Sequence, residues 1–372
     1  MRILHINSYY STSAFYRELF EQQLALGEQI SVFVPVPRGY DAQGRDFGDY
    51  TKVCPDHGKY DRLWFPLKHD KIFRDVKHQY DTSEFDVLHA HSLFSNGVIA
   101  WRLHRLFGTP YIVAVRDTDV NTFFAKMPHL RKLGQQILRD ASRVVFLSKP
   151  YRDYALAPYL DVDALREVQE KSEIIPNGID PFWLQHAPDE IHVATPGIAR
   201  LLLVGRASKR KNVEVALAAA QRLSDQGTQV QFDVVIGKVE DPAILDRIRS
   251  HPLVTLHRNL TREQLLPLYR AADVFVLPSL QETFGLVYAE AMSQGLPVIY
   301  TRGQGFDGQF EEGEVGYAAD PNDPREIASR IEDVLEDHAN MAQRALTNSK
   351  RYDWARFAAQ YDGIYREVIG RD

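Results

Sequence analysis

The 372-residue chain has one cysteine, Cys54, which excludes an internal disulfide and any thiolate metal cluster. No apolar run approaches the roughly 20 residues that a membrane-spanning helix needs. Met1-Arg2-Ile3-Leu4-His5 lacks a basic segment leading into a long apolar stretch, so no secretory signal is expected and the predicted location is cytoplasmic. Positive charge is not in excess: a formal net charge of −6 argues against a general nucleic-acid binder. Short repeats and low-complexity tracts are missing too. Hydrophobic residues at 44% and charged residues at 25% are ordinary globular values, which removes disordered and collagen-like architectures. At about 150 residues per domain, the length predicts two or three domains, each able to bury a core.

Charge divides unevenly. Residues 1–178 carry 23 Lys+Arg against 22 Asp+Glu, and the remainder 21 against 28, so the two halves are expected to meet different partners. The front half reads as repeated βα units: a strand at Arg2–Asn7, a polar loop at Ser8–Ser13, a helix over Ala14–Ala25, a strand at Ile30–Val36. Val87–Ala90, Tyr111–Val115, a helix from about Leu130 and Arg143–Leu147 continue the rhythm. Arg38–Asp81 breaks it and is expected to be a long loop, functional or mobile; it contains the basic–aromatic stretch Arg62–Arg74. Ile174-Ile-Pro-Asn-Gly178 closes the half with turn residues. After a polar connector the rhythm restarts at Arg200–Val204. It continues through Asn212–Leu223, Gln231–Ile236, Pro242–Ser250, Leu253–His257, Arg262–Ala272, Val274–Leu277, Phe284–Gln294 and Pro297–Thr301. Two doubly wound α/β domains are predicted, with ligands at the carboxyl ends of their strands.

The strongest local signal is Pro278-Ser-Leu-Gln-Glu282-Thr-Phe-Gly-Leu-Val-Tyr-Ala-Glu290-Ala-Met-Ser-Gln-Gly295-Leu-Pro297. A strand ends at Leu277, a turn carries Glu282, and a helix is expected to open near Phe284, where free N–H groups and the helix dipole suit a phosphate. Eight residues at 1.5 Å each would put the two glutamates about 12 Å apart along a helix. Retaining glycosidases hold their carboxylates about 5–5.5 Å apart, so this is no hydrolase dyad. The pair brackets something longer, an anion flanked by hydroxyl-bearing groups. A capped amphipathic helix with two solvated glutamates is the simpler alternative.

The E-x7-E spacing resembles that of retaining GT-B glycosyltransferases of family 4, the glycosyl transferases of group 1. The resemblance extends to Asp86-Val-Leu-His-Ala-His91, Ile174-Ile-Pro-Asn-Gly-Ile-Asp180, Leu203-Val-Gly-Arg206-Ala-Ser-Lys-Arg-Lys211-Asn and Leu268-Tyr-Arg-Ala-Ala-Asp-Val-Phe-Val-Leu-Pro-Ser279, and so to nearly the whole chain. It implies an acceptor-binding domain over 1–178, completed by a terminal helix over 354–372, and a nucleotide-sugar domain over 179–353. It implies that Arg206 and Lys211, beside Gly205, hold a donor diphosphate, a role that fits cations placed at a strand end. Glu290 would bind ribose hydroxyls. Glu282, with Thr283 and the N–H groups of Phe284, Gly285 and Leu286, would hold the transferred sugar and distal phosphate, while Arg258-Asn259-Leu260 would border the base. The donor implied is a UDP- or GDP-sugar, UDP favoured, with no cofactor and no metal. The chain departs from the pattern twice. Ser11-Thr12-Ser13 stands where many relatives have Gly-Gly, and Arg116 stands where a histidine is common. Arginine cannot act as a general base, but it can anchor a phosphate or carboxylate.

Four further features each admit more than one reading. Asp117-Thr118-Asp119 mimics a metal-binding Asp-x-Asp, but its distance in sequence from the donor motifs favours acceptor contact or turn chemistry. Gly303-Gln-Gly305-Phe-Asp-Gly308 matches a dinucleotide fingerprint without a following helix, and is read as a flexible loop near the donor. His89 and His91 share a strand face; a zinc site needs a further ligand, so a polar cleft lining is favoured. Lys126, Arg131, Lys132, Arg139 and Arg143 interleave with leucine and isoleucine in either a membrane-surface helix or a half-buried domain helix. The combined expectation is a retaining, metal-independent hexosyltransferase acting on a glycan or lipid-linked acceptor in bacterial surface-polysaccharide synthesis. His91, Arg116 and Asp119 would lie on the acceptor side, with peripheral membrane contact. An epimerase of the same fold or a catalytically silent sugar-nucleotide-binding subunit are the alternatives.

Overall fold

A computed structural model describes residues 1–42, 44–58, 60–61 and 64–370. The chain divides into two units: Met1–Leu147 with Tyr151–Gly178 and Trp354–Asp372, and Ile179–Asp353 with Ser148–Pro150. In the first unit the strands are β1 (Arg2–Ile6), β2 (Gln29–Pro37), β3 (Thr51–His57), β4 (Val87–Ala90), β5 (Tyr111–Ala114), β6 (Arg143–Phe146) and β7 (Ser172–Ile174). They form a seven-stranded parallel sheet ordered β3-β2-β1-β4-β5-β6-β7. β4 and β5 are buried at every position, as expected of parallel strands covered on both faces. The last helix, Trp354–Val368, packs against the Tyr16–Ala25 helix of this unit.

The second unit contains β8 (Ile198–Ala207), β9 (Gln229–Val239), β10 (Val254–Arg258), β11 (Val274–Val276), β12 (Val298–Thr301) and β13 (Gly316–Ala319). Its six-stranded parallel sheet is ordered β10-β9-β8-β11-β12-β13. Strand order reverses between β1 and β4 in one sheet and between β8 and β11 in the other. In open α/β sheets ligands bind outside the carboxyl ends of strands at such switch points.

The expected long loop is not one. Residues 38–81 contain β3 and a 15-residue helix, Phe65–Gln79, started by Pro66. Phe65, His69, Ile72 and Val76 share one face of that helix; His69, Ile72 and Val76 are buried. Of the basic–aromatic stretch, Arg62 and Leu63 lie outside the described residues, and the remainder is mostly helical. The helix expected from Phe284 begins at Leu286, behind Gly285, whose φ of +85° is a left-handed conformation that suits glycine. Among the described residues, no helix is long and apolar enough to cross a membrane.

Candidate active site

Three loops converge at the carboxyl end of the second sheet, after β8, β11 and β12. After β8 the chain makes a short helical turn, Lys209–Lys211, which ends in Asn212 with φ +52°. The Asn212 amide holds that turn by donating to the carbonyls of Pro278 (3.1 Å) and Pro321 (2.6 Å). This fixes the buried Lys211, whose Nζ donates to Glu282 Oε2 at 2.5 Å. The two charged groups expected to hold a donor thus meet across the β8/β11 switch point, with side chains 11% and 12% exposed. Beyond Glu282, the N–H groups of Phe284, Gly285 and Leu286 have no acceptor among the described residues. Such a run of free N–H groups beside an ammonium favours an anion. Because Glu282 lies ahead of the helix, its spacing from Glu290 does not follow the helical rise estimated from sequence.

Arg206 follows an irregularity in the β8/β9 register and donates to Glu240 Oε1 at 3.0 Å, an exposed pair that a phosphate can displace. Glu290 is half-buried on the helix, 3.5 Å from the Tyr269 hydroxyl. Burial pushes its carboxyl up to about 7, the charge of Asp180 adds to the rise, and the Tyr269 hydroxyl opposes it. At the end of β10 the Arg258 Nε donates to the Ile236 carbonyl at 3.1 Å, and Asn259 has φ +50°. Leu260 is half-buried beside them.

In the first unit, β1, β4 and the segment after β5 bring His5, His89, His91 and Arg116 together. His91 is fully buried, with its Nε2 3.0 Å from His5 Nδ1 and its carbonyl accepting from Arg116 Nε at 3.1 Å. His89 Nδ1 lies 2.6 Å from the hydroxyl of Tyr365, which also accepts from Gln23 at 3.1 Å. Burial holds His5 down at about 3 and puts His89 and His91 well below the usual histidine range. His5 is the third imidazole that the sequence did not place. One ligand atom from each of His5, His89 and His91 lies within 4.8 Å of the others, while the His89 and His91 rings stack at 4.0 Å with planes 18° apart, an arrangement poorly suited to a tetrahedral cation site.

The profile of glycosyl transferases group 1 matches residues 191–352, and that of a glycosyl transferase 4-like domain matches residues 12–178. The chain belongs to the group 1 glycosyltransferases. A D-inositol 3-phosphate glycosyltransferase of Corynebacterium urealyticum is 26% identical over 96% of this chain and 90% of its own. Among solved structures, sucrose-phosphate synthase from Thermosynechococcus elongatus superposes with a TM-score of 0.74 at 20% identity, covering 100% and 99% of the two chains. Anabaena HepE, in complex with UDP-glucose, gives 0.67 at 16% identity over 99% and 100%. The fold of this glycosyltransferase is GT-B.

The structure brings together Lys211, Glu282, Thr283, Phe284, Gly285 and Leu286. Of the residues expected on the acceptor side, His91 and Asp119 are fully buried. Asp119 accepts from the backbone N–H groups of Leu93 (2.9 Å), Phe94 (3.0 Å) and Arg116 (2.9 Å), which is turn chemistry. Three donors converging on one buried carboxylate fix the turn that carries Arg116, itself 8% exposed. The His89–His91 strand is likewise core and not a cleft lining. Arg131 donates to the Phe124 carbonyl and stacks on Tyr159, and Arg143 pairs with Glu367, so those two cations brace the unit. The loop after β12, read as flexible, is tightly packed. Gly305 has no room for a Cβ, which would lie 2.2–2.4 Å from the Thr283 carbonyl and Phe284 nitrogen. Gln304 of that loop, which no motif singles out as a site residue, bonds directly to Glu282.

Proposed function

We propose that this glycosyltransferase moves a hexosyl group, with retention at the anomeric carbon, from a nucleoside diphosphate sugar to a glycan or lipid-linked acceptor. The observation that carries the reading is the Lys211–Glu282 pair at the switch point, beside the free N–H groups of residues 284–286. As the bond from the anomeric carbon to phosphate oxygen breaks, the leaving diphosphate gains negative charge. Lys211, Arg206 and those N–H groups neutralise it, and the mechanism invokes no metal. Glu282 exchanges its ammonium partner for sugar hydroxyls and stabilises the positive charge that develops on the ring. The mechanism invokes no carboxylate nucleophile: the acceptor oxygen attacks from the face the phosphate leaves, and the departing phosphate oxygen takes its proton.

Glu290 binds the ribose, and Arg258, Asn259 and Leu260 border the base. UDP is the favoured nucleotide, a choice supported by the Anabaena structure that contains UDP-glucose. Arg116 anchors an acidic group of the acceptor. Exposed Lys126, Lys132 and Arg139 provide a cationic face toward an acceptor at the inner membrane surface, in polysaccharide assembly. A donor panel followed by proton NMR of the product tests sugar, transfer and anomeric outcome together. An inverted product overturns retention, and no transfer from any UDP- or GDP-sugar overturns the reading. Flotation with anionic vesicles at low and high salt tests the membrane part, which fails if no binding is seen at either.

A further inference from the structure

Glu282 is held from a direction that its own motif does not reveal. Its backbone N–H donates to Gln304 Oε1 at 2.9 Å, and its carbonyl accepts from Gly305 N–H at 2.9 Å. Both backbone polar groups of this residue are therefore engaged by the loop after β12. Because the Glu282 partner is a donor, it fixes which end of the Gln304 amide faces it. That loop is itself anchored. Gln304 N–H donates to the Thr301 carbonyl (3.2 Å) and Asp307 N–H to the Gln304 carbonyl (2.8 Å). The Thr301 hydroxyl donates to the Ser279 carbonyl at 2.8 Å, tying the root of the loop to the end of β11. Phe306 is 1% exposed, with ring centroids 4.9 Å from Tyr288 and 5.2 Å from Tyr300, so the far side of the loop is core. The bare Cα of Gly305 lets the loop lie directly on the Thr283–Phe284 peptide.

We propose that Gln304 is a positioning residue for Glu282: its side-chain oxygen, with the Gly305 N–H, sets where the Glu282 carboxylate stands relative to Lys211 and the donor sugar. The role in turnover rests on the transferase reading above; the clamp itself does not. A carboxylate displaced by about 1 Å loses most of what it contributes to a transition state, while ground-state binding through the diphosphate and ribose is untouched.

The test compares wild type with Gln304→Met, which keeps the size but loses the acceptor, and with Gln304→Glu, which keeps an acceptor oxygen. Hydrogen exchange of the segment 279–286 reads the clamp without any assumption about activity. One amide should exchange at least about tenfold faster in Gln304→Met and return toward wild type in Gln304→Glu. Steady-state kinetics should show kcat lowered about tenfold in Gln304→Met with donor KM unchanged, and partial recovery in Gln304→Glu. Unchanged exchange in Gln304→Met overturns the clamp whatever the activity. Faster exchange with wild-type kcat overturns the positioning role. If wild type transfers no sugar and exchange still responds, the clamp stands and the transferase reading is what fails.

Discussion

Replacing Glu290 by glutamine should move stability and nucleotide affinity in opposite directions. The carboxyl is pushed up to about 7 from its ordinary 4.5, chiefly because burial disfavours its charge, with Asp180 adding to the effect. A folded-state value above the unfolded one means that the native protein binds more protons between those two values. Stability at this site is therefore full below the unfolded value and is lost as pH rises through about 7. The raw difference corresponds to roughly 3 kcal/mol; discounted for the partial exposure of the side chain, about 1–2 kcal/mol is realistic. Glu290→Gln removes the buried charge, so at pH 8 the second unit should melt about 3–5 °C higher than wild type.

Ribose hydroxyls donating to the ionised carboxylate would favour that form, so binding should release a proton near neutrality. If only the ionised form binds well, wild-type affinity for UDP-glucose should fall about tenfold between pH 8 and pH 6. The glutamine variant should bind more weakly at pH 8 and show no such slope. Calorimetry across pH, repeated in buffers of different ionisation enthalpy, together with thermal melts, reads both effects. A slope that survives in Glu290→Gln would falsify the ribose assignment. A variant that melts lower at pH 8 would show that the Tyr269 contact outweighs the charge penalty.

Other outcomes are accessible with simple variants. Lys211→Met and Glu282→Gln should each abolish most turnover and destabilise by about 1–3 kcal/mol, whereas the double variant should regain stability but not activity; additive melting losses would refute the coupling. Arg116→Lys keeps the charge but loses the planar contact, so acceptor KM should rise about tenfold with donor KM unchanged; wild-type kinetics would assign Arg116 to structure alone. Tyr365→Phe strips a hydroxyl shared by His89 and Gln23 and should lower stability by about 1–3 kcal/mol in urea titration. His5, held near 3, is kept neutral by burial, so the unfolded chain binds more protons and the first unit should lose stability as pH falls below the usual histidine range; a flat profile from pH 7 to pH 5 would contradict this.

Most of the architecture was legible because parallel strands buried on both faces are short apolar runs, and Val87–Ala90 and Pro242–Ser250 fall at their expected boundaries. β3 was missed because an edge strand is patterned for one-sided burial. Thr51–His57 carries Lys52, Pro55 and Asp56, and only Cys54 and His57 are buried, so it shows no apolar run. The helix after it was missed because His69 takes an apolar place in the buried stripe and Pro66 reads as a breaker, although at the first turn of a helix proline is welcome.

The candidate site divides along the same line between local and long-range information. Lys211, Glu282 and Gly285 were legible because they lie in the short motifs at strand ends that carry the family resemblance. The fixing of those residues does not, because it depends on partners far away in sequence. Asn212 reaches Pro321, 109 positions on, and Gln304 reaches back 22 positions to Glu282. One signal was nevertheless present. Gly303, Gly305 and Gly308 sit in a loop that opens no helix and so cannot cradle a dinucleotide. Glycine spacing without that helix must serve backbone approach of another kind, and at Gly305 the approaching backbone is the Thr283–Phe284 peptide itself. The motif that looked like a failed ligand loop is thus the support for the loop that carries Glu282, and the buried Phe306 between its glycines packs that support against the core.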